Sequence, residues 1–235
     1  DVPPTKDGPD YEEGFGCSSM VGCHFFGHWL RDDCASMLLD EPGPRLDLGW
    51  PDWQDGDFYR AQFDLGAIAT RYARVRRLVL VEDFHQNSHK AERFRTLRAR
   101  VAAHGTPRPG PIVYLARGGG TARNYENEAE VIDLLAARGV EIVRTESSPT
   151  PETVSRLLGA SMVIGIEGSQ FSPALYTIAD RAALLTIQPP TRFFISHKDW
   201  SDSLGMKHGF VVGDRTATGY RLNPEDLLRT IDLLV

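Results

Sequence analysis

Along the chain, short runs of apolar, β-branched residues alternate with segments whose apolar positions recur every three to four residues. The short runs read as strands and the recurring pattern as helices. The spacing predicts helices over His24 to Leu39, Phe58 to Tyr72, Lys90 to Ala103, Glu126 to Arg138, Pro151 to Leu158, Phe171 to Ala179 and Pro224 to Leu234. It predicts strands over Leu78–Val81, Ile112–Leu115, Glu141–Val143, Met162–Ile166, Leu184–Ile187 and Phe210–Val212. Strands alternating with helices belong to a parallel sheet with crossover helices, an α/β fold. No segment recurs at the spacing of solenoids or propellers.

The stretch His104-Gly-Thr-Pro-Arg-Pro-Gly-Pro111 holds three prolines and two glycines, which break both helix and sheet ladders, and reads as a linker. It divides the chain into an amino half, 1–105, and a carboxyl half, 106–235. In the carboxyl half each strand is followed by a helix, making a complete small Rossmann-like unit. The amino half shows one clear strand, and residues 40–57 read as loop.

Composition narrows the classes. The 235 residues carry 26 Lys+Arg against 32 Asp+Glu, a net charge of -6, so nothing favours a nucleic-acid-binding surface. With 41% hydrophobic and 25% charged residues, the balance argues against a wholly disordered chain. The longest apolar cluster, Leu78 to Val81, is far short of the roughly 18–20 residues of a membrane span. The opening residues, polar and rich in Pro and Gly, are neither a signal peptide nor a lipidation site. These features lead us to expect a cytoplasmic protein, with any peripheral contact to the inner membrane made through a segment outside this chain. Cys17, Cys23 and Cys34 are odd in number, which fits a reducing compartment rather than a disulfide framework. Their spacing with His24 and His28 matches none of the usual structural zinc patterns. No metal or cofactor is expected.

In an open parallel sheet, ligands bind at the carboxyl ends of strands. Strand Ile112–Leu115 runs into Ala116-Arg117-Gly118-Gly119-Gly120-Thr121-Ala122-Arg123, where glycines let backbone approach a ligand and two guanidinium forks can clamp a diphosphate. This is neither a Walker loop nor a GxGxxG fingerprint, so ATPase and dehydrogenase readings lose support. Strand Met162–Ile166 runs into Glu167-Gly168-Ser169-Gln170, a second small-residue turn that opens a helix. Ser169 or Ser172 can cap that helix, and Glu167 can accept sugar or ribose hydroxyls or pair with an arginine such as Arg117. In the amino half, His24, His28 and Asp32 step by four and so share one face of the predicted helix. A carboxylate one turn from an imidazole orients it and raises its basicity, as general base catalysis needs. Asp55-Gly56-Asp57 has the spacing of a metal-holding carboxylate pair, but its surroundings favour an Asp-Gly turn. Trp50, Trp53, Phe58 and Tyr59 read equally as sugar-stacking or core aromatics.

Together these segments resemble the family-61 glycosyltransferases. VYLARGGGTARNYENEAEVIDLLAARGVEIV is similar to the family's strand ending in Ser/Ala-Arg, with a second Arg, Asn-Glu and a helix following. TPETVSRLLGASMVIGIEGSQFSPALY resembles its next helix and strand, and ALLTIQPP its Leu-Ile-Glu-Ile-x-Pro strand. HFFGHWLRD and FYRAQFDLGA resemble its His-Trp-Leu-x-Asp and helix-then-Leu-Gly segments. The likeness covers residues 20–190. It implies a GT-B-like architecture, two Rossmann-like halves facing across a cleft, the amino half on the acceptor side and the nucleotide sugar on the carboxyl half. It implies inverting, metal-independent transfer of a sugar from a nucleotide-diphosphate donor to a carbohydrate hydroxyl, in polysaccharide biosynthesis. By position, Arg117, Arg123, Asn127 and Glu128 match the family's donor-side residues; His24, Glu167, Gly168, Ser169 and Gln170 complete the expected binding set, and in the expected catalytic pair Asp32, with His28 beside it, deprotonates the acceptor. Where the family usually has His, this chain has Glu167. That difference keeps open a non-catalytic sugar- or nucleotide-binding module of a polysaccharide-assembly protein; a nucleotide-sugar epimerase is the other alternative.

Overall fold

The computed structural model describes residues 8–48, 53–108, 110–117 and 125–235. The predicted glycine run Gly118 to Gly120, Arg123 and Trp50 lie outside them. The chain divides into two compact units, Asp1–Arg100 and Val101–Val235.

The first unit contains β1 (Asp10–Gly16), α1 (Phe26–His28), a π turn (Trp29–Asp33), α2 (Cys34–Ser36), β2 (Arg45–Asp47), α3 (Gly56–Phe63), β3 (Ile68–Ala69), β4 (Arg74–Leu80) and α4 (Ser88–Ala103). Its strands form one parallel sheet in the order β3-β2-β1-β4. The single strand expected in this half is therefore four, and part of the expected loop 40–57 is β2. The strand β1 escapes an apolar pattern because its ladder is bordered by charge: Asp10 lies opposite Arg74 and Glu13 opposite Arg77, both as ion pairs, and Glu12 reaches Arg76 at 3.2 Å. Opposite charges across a ladder stabilise pairing without hydrophobic alternation. The helix expected to reach Tyr72 stops at Phe63, since Asp64 turns left-handed (φ 48°) and Gly66 follows at φ 59°. Phe15, Trp29, Leu30, Met37, Leu46, Phe63, Phe94 and Leu97 fill the core.

The second unit contains β5 (Ile112–Ala116), α5 (Glu128–Ala137), β6 (Glu141–Arg144), α6 (Thr150–Leu157), β7 (Met162–Ile166), a 3-10 turn (Ser169–Phe171), α7 (Ala174–Thr177), β8 (Ala183–Gln188), α8 (Ser196–Ser203), β9 (Lys207–Val212), β10 (Asp214–Arg215), β11 (Tyr220–Arg221) and α9 (Pro224–Leu234). Its parallel sheet has the order β6-β5-β7-β8-β9. Both units are thus Rossmann-like parallel α/β layers. The expected helix Phe171 to Ala179 is shorter and broken, because Pro173 has no N–H to donate to a continuous ladder. Helix α8, SHKDWSDS, carries too few apolar positions to show a helical period. The linker segment is strapped to this unit: Arg108 N–H donates to the Leu158 carbonyl, and its guanidinium to Glu141. No helix among the described residues is long and apolar enough to cross a membrane.

Candidate functional site

In the second unit, the chain leaves β5 for β6 on one side and returns to β7 on the other. The crevice between β5 and β7 is therefore the switch point where open α/β sheets bind ligands. Arg117 follows β5 directly, and Glu167-Gly168 follows β7 directly. The Arg117 side chain crosses between them: a Cβ built on Gly168 would lie 3.2 Å from its Nη1 and 2.5 Å from Gln170 Oε1. Gly168 holds φ 155°, a conformation open to glycine alone in practice. Gln170 donates from Nε2 to the Ile166 carbonyl at 2.8 Å, closing the turn on itself. Ser169 is exposed at the start of the 3-10 turn, whose N-cap is Gly168; Glu167 is 3% exposed.

Glu128 and Asn127 each have partners within the fold. Glu128 Oε1 accepts the Tyr114 hydroxyl at 2.8 Å and the Arg117 backbone N–H at 3.2 Å, so it anchors the strand end that carries the guanidinium. Tyr114 and Tyr125 share a hydroxyl–hydroxyl bond at 2.8 Å behind it. Asn127 pairs with both backbone groups of Leu222, at 2.9 and 3.0 Å, and with Glu130. Its amide clamps the segment before α9.

In the first unit the switch point lies between β1 and β4. The helix that follows β1 contains the π turn, a distortion frequent at functional sites. His24 is not on this helix as expected. It lies in the preceding turn, exposed, its Nδ1 2.7 Å from the Met20 carbonyl, because the chain turns before Phe26. His28 and Asp32 do meet: Nδ1 and Oδ2 are 2.8 Å apart. The carboxylate is 5% exposed, and its other oxygen accepts Lys90 Nζ at 2.8 Å. Burial pushes the Asp32 carboxyl up, but the His28 bond and the Lys90 charge outweigh that and hold it below the usual carboxylate range. Phe84, from the loop after β4, stacks on the imidazole with ring centroids 6.2 Å apart, and Phe25 meets it edge-on at 6.3 Å. In the neutral tautomer that donates Nδ1–H to the carboxylate, Nε2 carries the imidazole's lone pair. The helical spacing did not reveal Lys90, which comes from 58 residues away. A lysine in the first turn of α4, where the helix dipole disfavours a cation, was its one signal in the sequence.

Other candidate groups are structural. Asp47 accepts Arg60 at 2.8 Å, the Trp29 indole at 3.1 Å and the Ser18 hydroxyl at 3.0 Å. Asp55-Gly56-Asp57 opens α3, with Asp57 bonded to Arg60, and Tyr59 is core. Cys17 and Cys34 are buried thiols whose ionisation burial suppresses; Cys17 is pushed up to about 12. Among the described residues no group of His, Cys, Asp and Glu is gathered to hold a metal ion.

Asp33, next to the dyad, makes a separate prediction. Burial raises its carboxyl to about 7, against the opposing hydrogen bonds from Ser19. A carboxyl raised in the fold binds its proton more tightly folded than unfolded, so stability falls as pH rises from about 4 to about 7. At 1.36 kcal/mol per unit the cost at pH 8 is on the order of 4 kcal/mol. Asp33→Asn should therefore raise the melting temperature at pH 8, and the gain should disappear near pH 4. An equal gain at both pH values would contradict it.

The family model described as Glycosyltransferase 61 matches residues 26–196, well over half of the chain and spanning both switch points. No curated protein matches the chain.

Proposed function

The chain belongs to glycosyltransferase family 61, and from that premise we propose that it transfers a sugar, with inversion, from a nucleotide-diphosphate donor to a carbohydrate hydroxyl in polysaccharide synthesis. As a glycosyltransferase it acts on a sugar donor and an acceptor. The observation that carries the donor assignment is Arg117 lying against Gly168 at the β5–β7 switch point. A planar guanidinium beside a Cβ-free turn suits phosphate oxygens bidentately. Its fixed charge offsets the negative charge that grows on the leaving diphosphate, a role divalent ions fill elsewhere. In this reading Arg123 is the second fork, and the halves 1–105 and 106–235 serve acceptor and donor in the GT-B manner.

The base assignment differs from the initial expectation. Asp32, with both oxygens engaged, is a weak proton acceptor; His28, whose Nε2 carries the lone pair in the neutral tautomer that donates Nδ1–H to Asp32 and whose side chain is partly exposed, is the stronger one. In the transfer step the acceptor oxygen attacks the anomeric carbon while Nε2 takes its proton. The bond from that carbon to the phosphate oxygen breaks, and the diphosphate leaves with the electron pair. Asp32 stabilises the imidazolium that results.

Thermal shift with UDP, GDP and CMP, each with EDTA present, tests the donor site. A ligand at 100 times its dissociation constant adds about 2.7 kcal/mol of stability, so the matching nucleotide should raise the melting temperature measurably. No shift with any of the three would remove the donor reading.

A further inference from the structure

Lys90 ties the imidazole's carboxylate to the loop that carries Phe84. Its side chain is fully buried, at 0% exposure, which is uncommon for lysine and tolerated only with partners. Nζ donates to Asp32 Oδ1 at 2.8 Å and to the Asp83 carbonyl at 2.7 Å. Asp83 and Phe84 belong to the loop between β4 and α4, and Phe84 is the ring stacked on His28. The same loop is held a second time by an Arg93–Asp83 ion pair, while Arg93 Nε donates to the Ala35 carbonyl at 3.0 Å. Asn87 accepts the Lys90 backbone N–H at 2.9 Å, fixing where the first turn of α4 begins and so where the ammonium lies.

We infer that Lys90 is the positioning residue of the His28–Asp32 pair: its ammonium fixes Asp32 in the orientation that receives His28 Nδ1 and pins the Phe84 loop over the ring, without touching substrate. The assignment rests on the base role given to His28 above. Two consequences separate it from a merely structural buried lysine. First, an Asp32 oxygen held by a cation cannot rotate away, so the imidazole keeps one tautomer and one ring plane. Second, a positive charge on the far side of the carboxylate limits how strongly that carboxylate favours the protonated imidazole. The charged groups around the pair are Asp32 and Arg31 on the π turn, Asp33 beside them, Lys90 and Arg93 on α4, and Asp83 on the loop. Removing Lys90 alone leaves a net negative change next to His28.

The test uses the whole chain and compares Lys90→Met, Lys90→Arg, Asp32→Asn and the double variant Asp32→Asn/Lys90→Met. For folded Lys90→Met we expect kcat for sugar transfer to fall about ten- to a hundredfold with donor KM unchanged. The acid limb of the kcat/KM profile should move to higher pH, and Lys90→Arg, which keeps the charge, should restore that limb. In the Asp32→Asn background, loss of Lys90 should cost no further turnover, since it acts through Asp32. The double variant buries no lone charge, and if Lys90→Met does not fold, Lys90→Arg, which keeps the charge beside Asp32, carries the comparison. One readout needs no activity: the hydrogen-bonded imidazole N–H proton, seen downfield in the proton NMR spectrum and identified by its loss in His28→Gln, should shift and exchange faster in Lys90→Arg and in Lys90→Met. An unmoved N–H resonance, together with parental kcat and pH profile, would overturn the role of Lys90. Transfer absent from the parent chain with every donor would instead overturn the base role of His28, leaving the resonance to decide what Lys90 does.

Discussion

Replacing His28 by glutamine is expected to lower the turnover number for sugar transfer by about 10²- to 10⁴-fold, the usual contribution of a positioned general base. Donor KM should hardly change, because in the proposed reading Arg117, not the imidazole, binds the diphosphate. Glutamine retains a hydrogen-bonding group near Asp32 but cannot accept the acceptor's proton. His28 is the better probe than Asp32 for a physical reason. Asp32 neutralises the buried Lys90 ammonium, and removing one partner of a buried pair leaves an uncompensated charge at about 3–5 kcal/mol. Loss of activity in Asp32→Asn would therefore mix catalysis with folding. The side chain of His28 is partly exposed, so its loss should leave the melting temperature within a few degrees. Turnover within threefold of the parent chain would remove His28 from the mechanism.

The second large effect is expected at the other switch point. Arg117→Ala should weaken nucleoside-diphosphate binding about ten- to a hundredfold, because a charge-assisted bond contributes about 1.5–3 kcal/mol. Gly168→Ala should do the same with the arginine still present. A Cβ there would lie 2.5 Å from Gln170 Oε1 and 3.2 Å from Arg117 Nη1, on a backbone at φ 155°. Such a conformation costs a residue other than glycine about 1–3 kcal/mol, so the variant should also melt earlier. Isothermal titration with the nucleotide that stabilises the parent chain measures both. Parental affinity in Arg117→Ala would place the diphosphate elsewhere. Parental affinity in Gly168→Ala, with the expected drop in melting temperature, would limit Gly168 to shaping the fold.

The two sites were unequally legible. At the second unit, strand and turn chemistry are local: an apolar run ends, Arg117 or Glu167-Gly168 follows, and proximity in sequence fixes proximity in space. The helical spacing likewise put His28 and Asp32 within reach. The same spacing misplaced His24, because whether a helix includes its first expected turn is settled by the bonds of the preceding loop, here those of residues 19–25. Nor does anything local show that both Asp32 oxygens have partners, one of them Lys90.

What the amino-acid order determined by itself is the alternation of strand and helix, the α/β class, and the residues that stand at strand ends, because these follow from apolar period and turn chemistry over a few residues. Tertiary structure alone decided that the polar segment Asp10–Gly16 is a strand, through charges 64 residues apart, and that Lys90 completes the His28–Asp32 pair from 58 residues away. Such partners are chosen by the packing of distant segments, where a buried charge must find its counterion, and no local pattern records which one it finds.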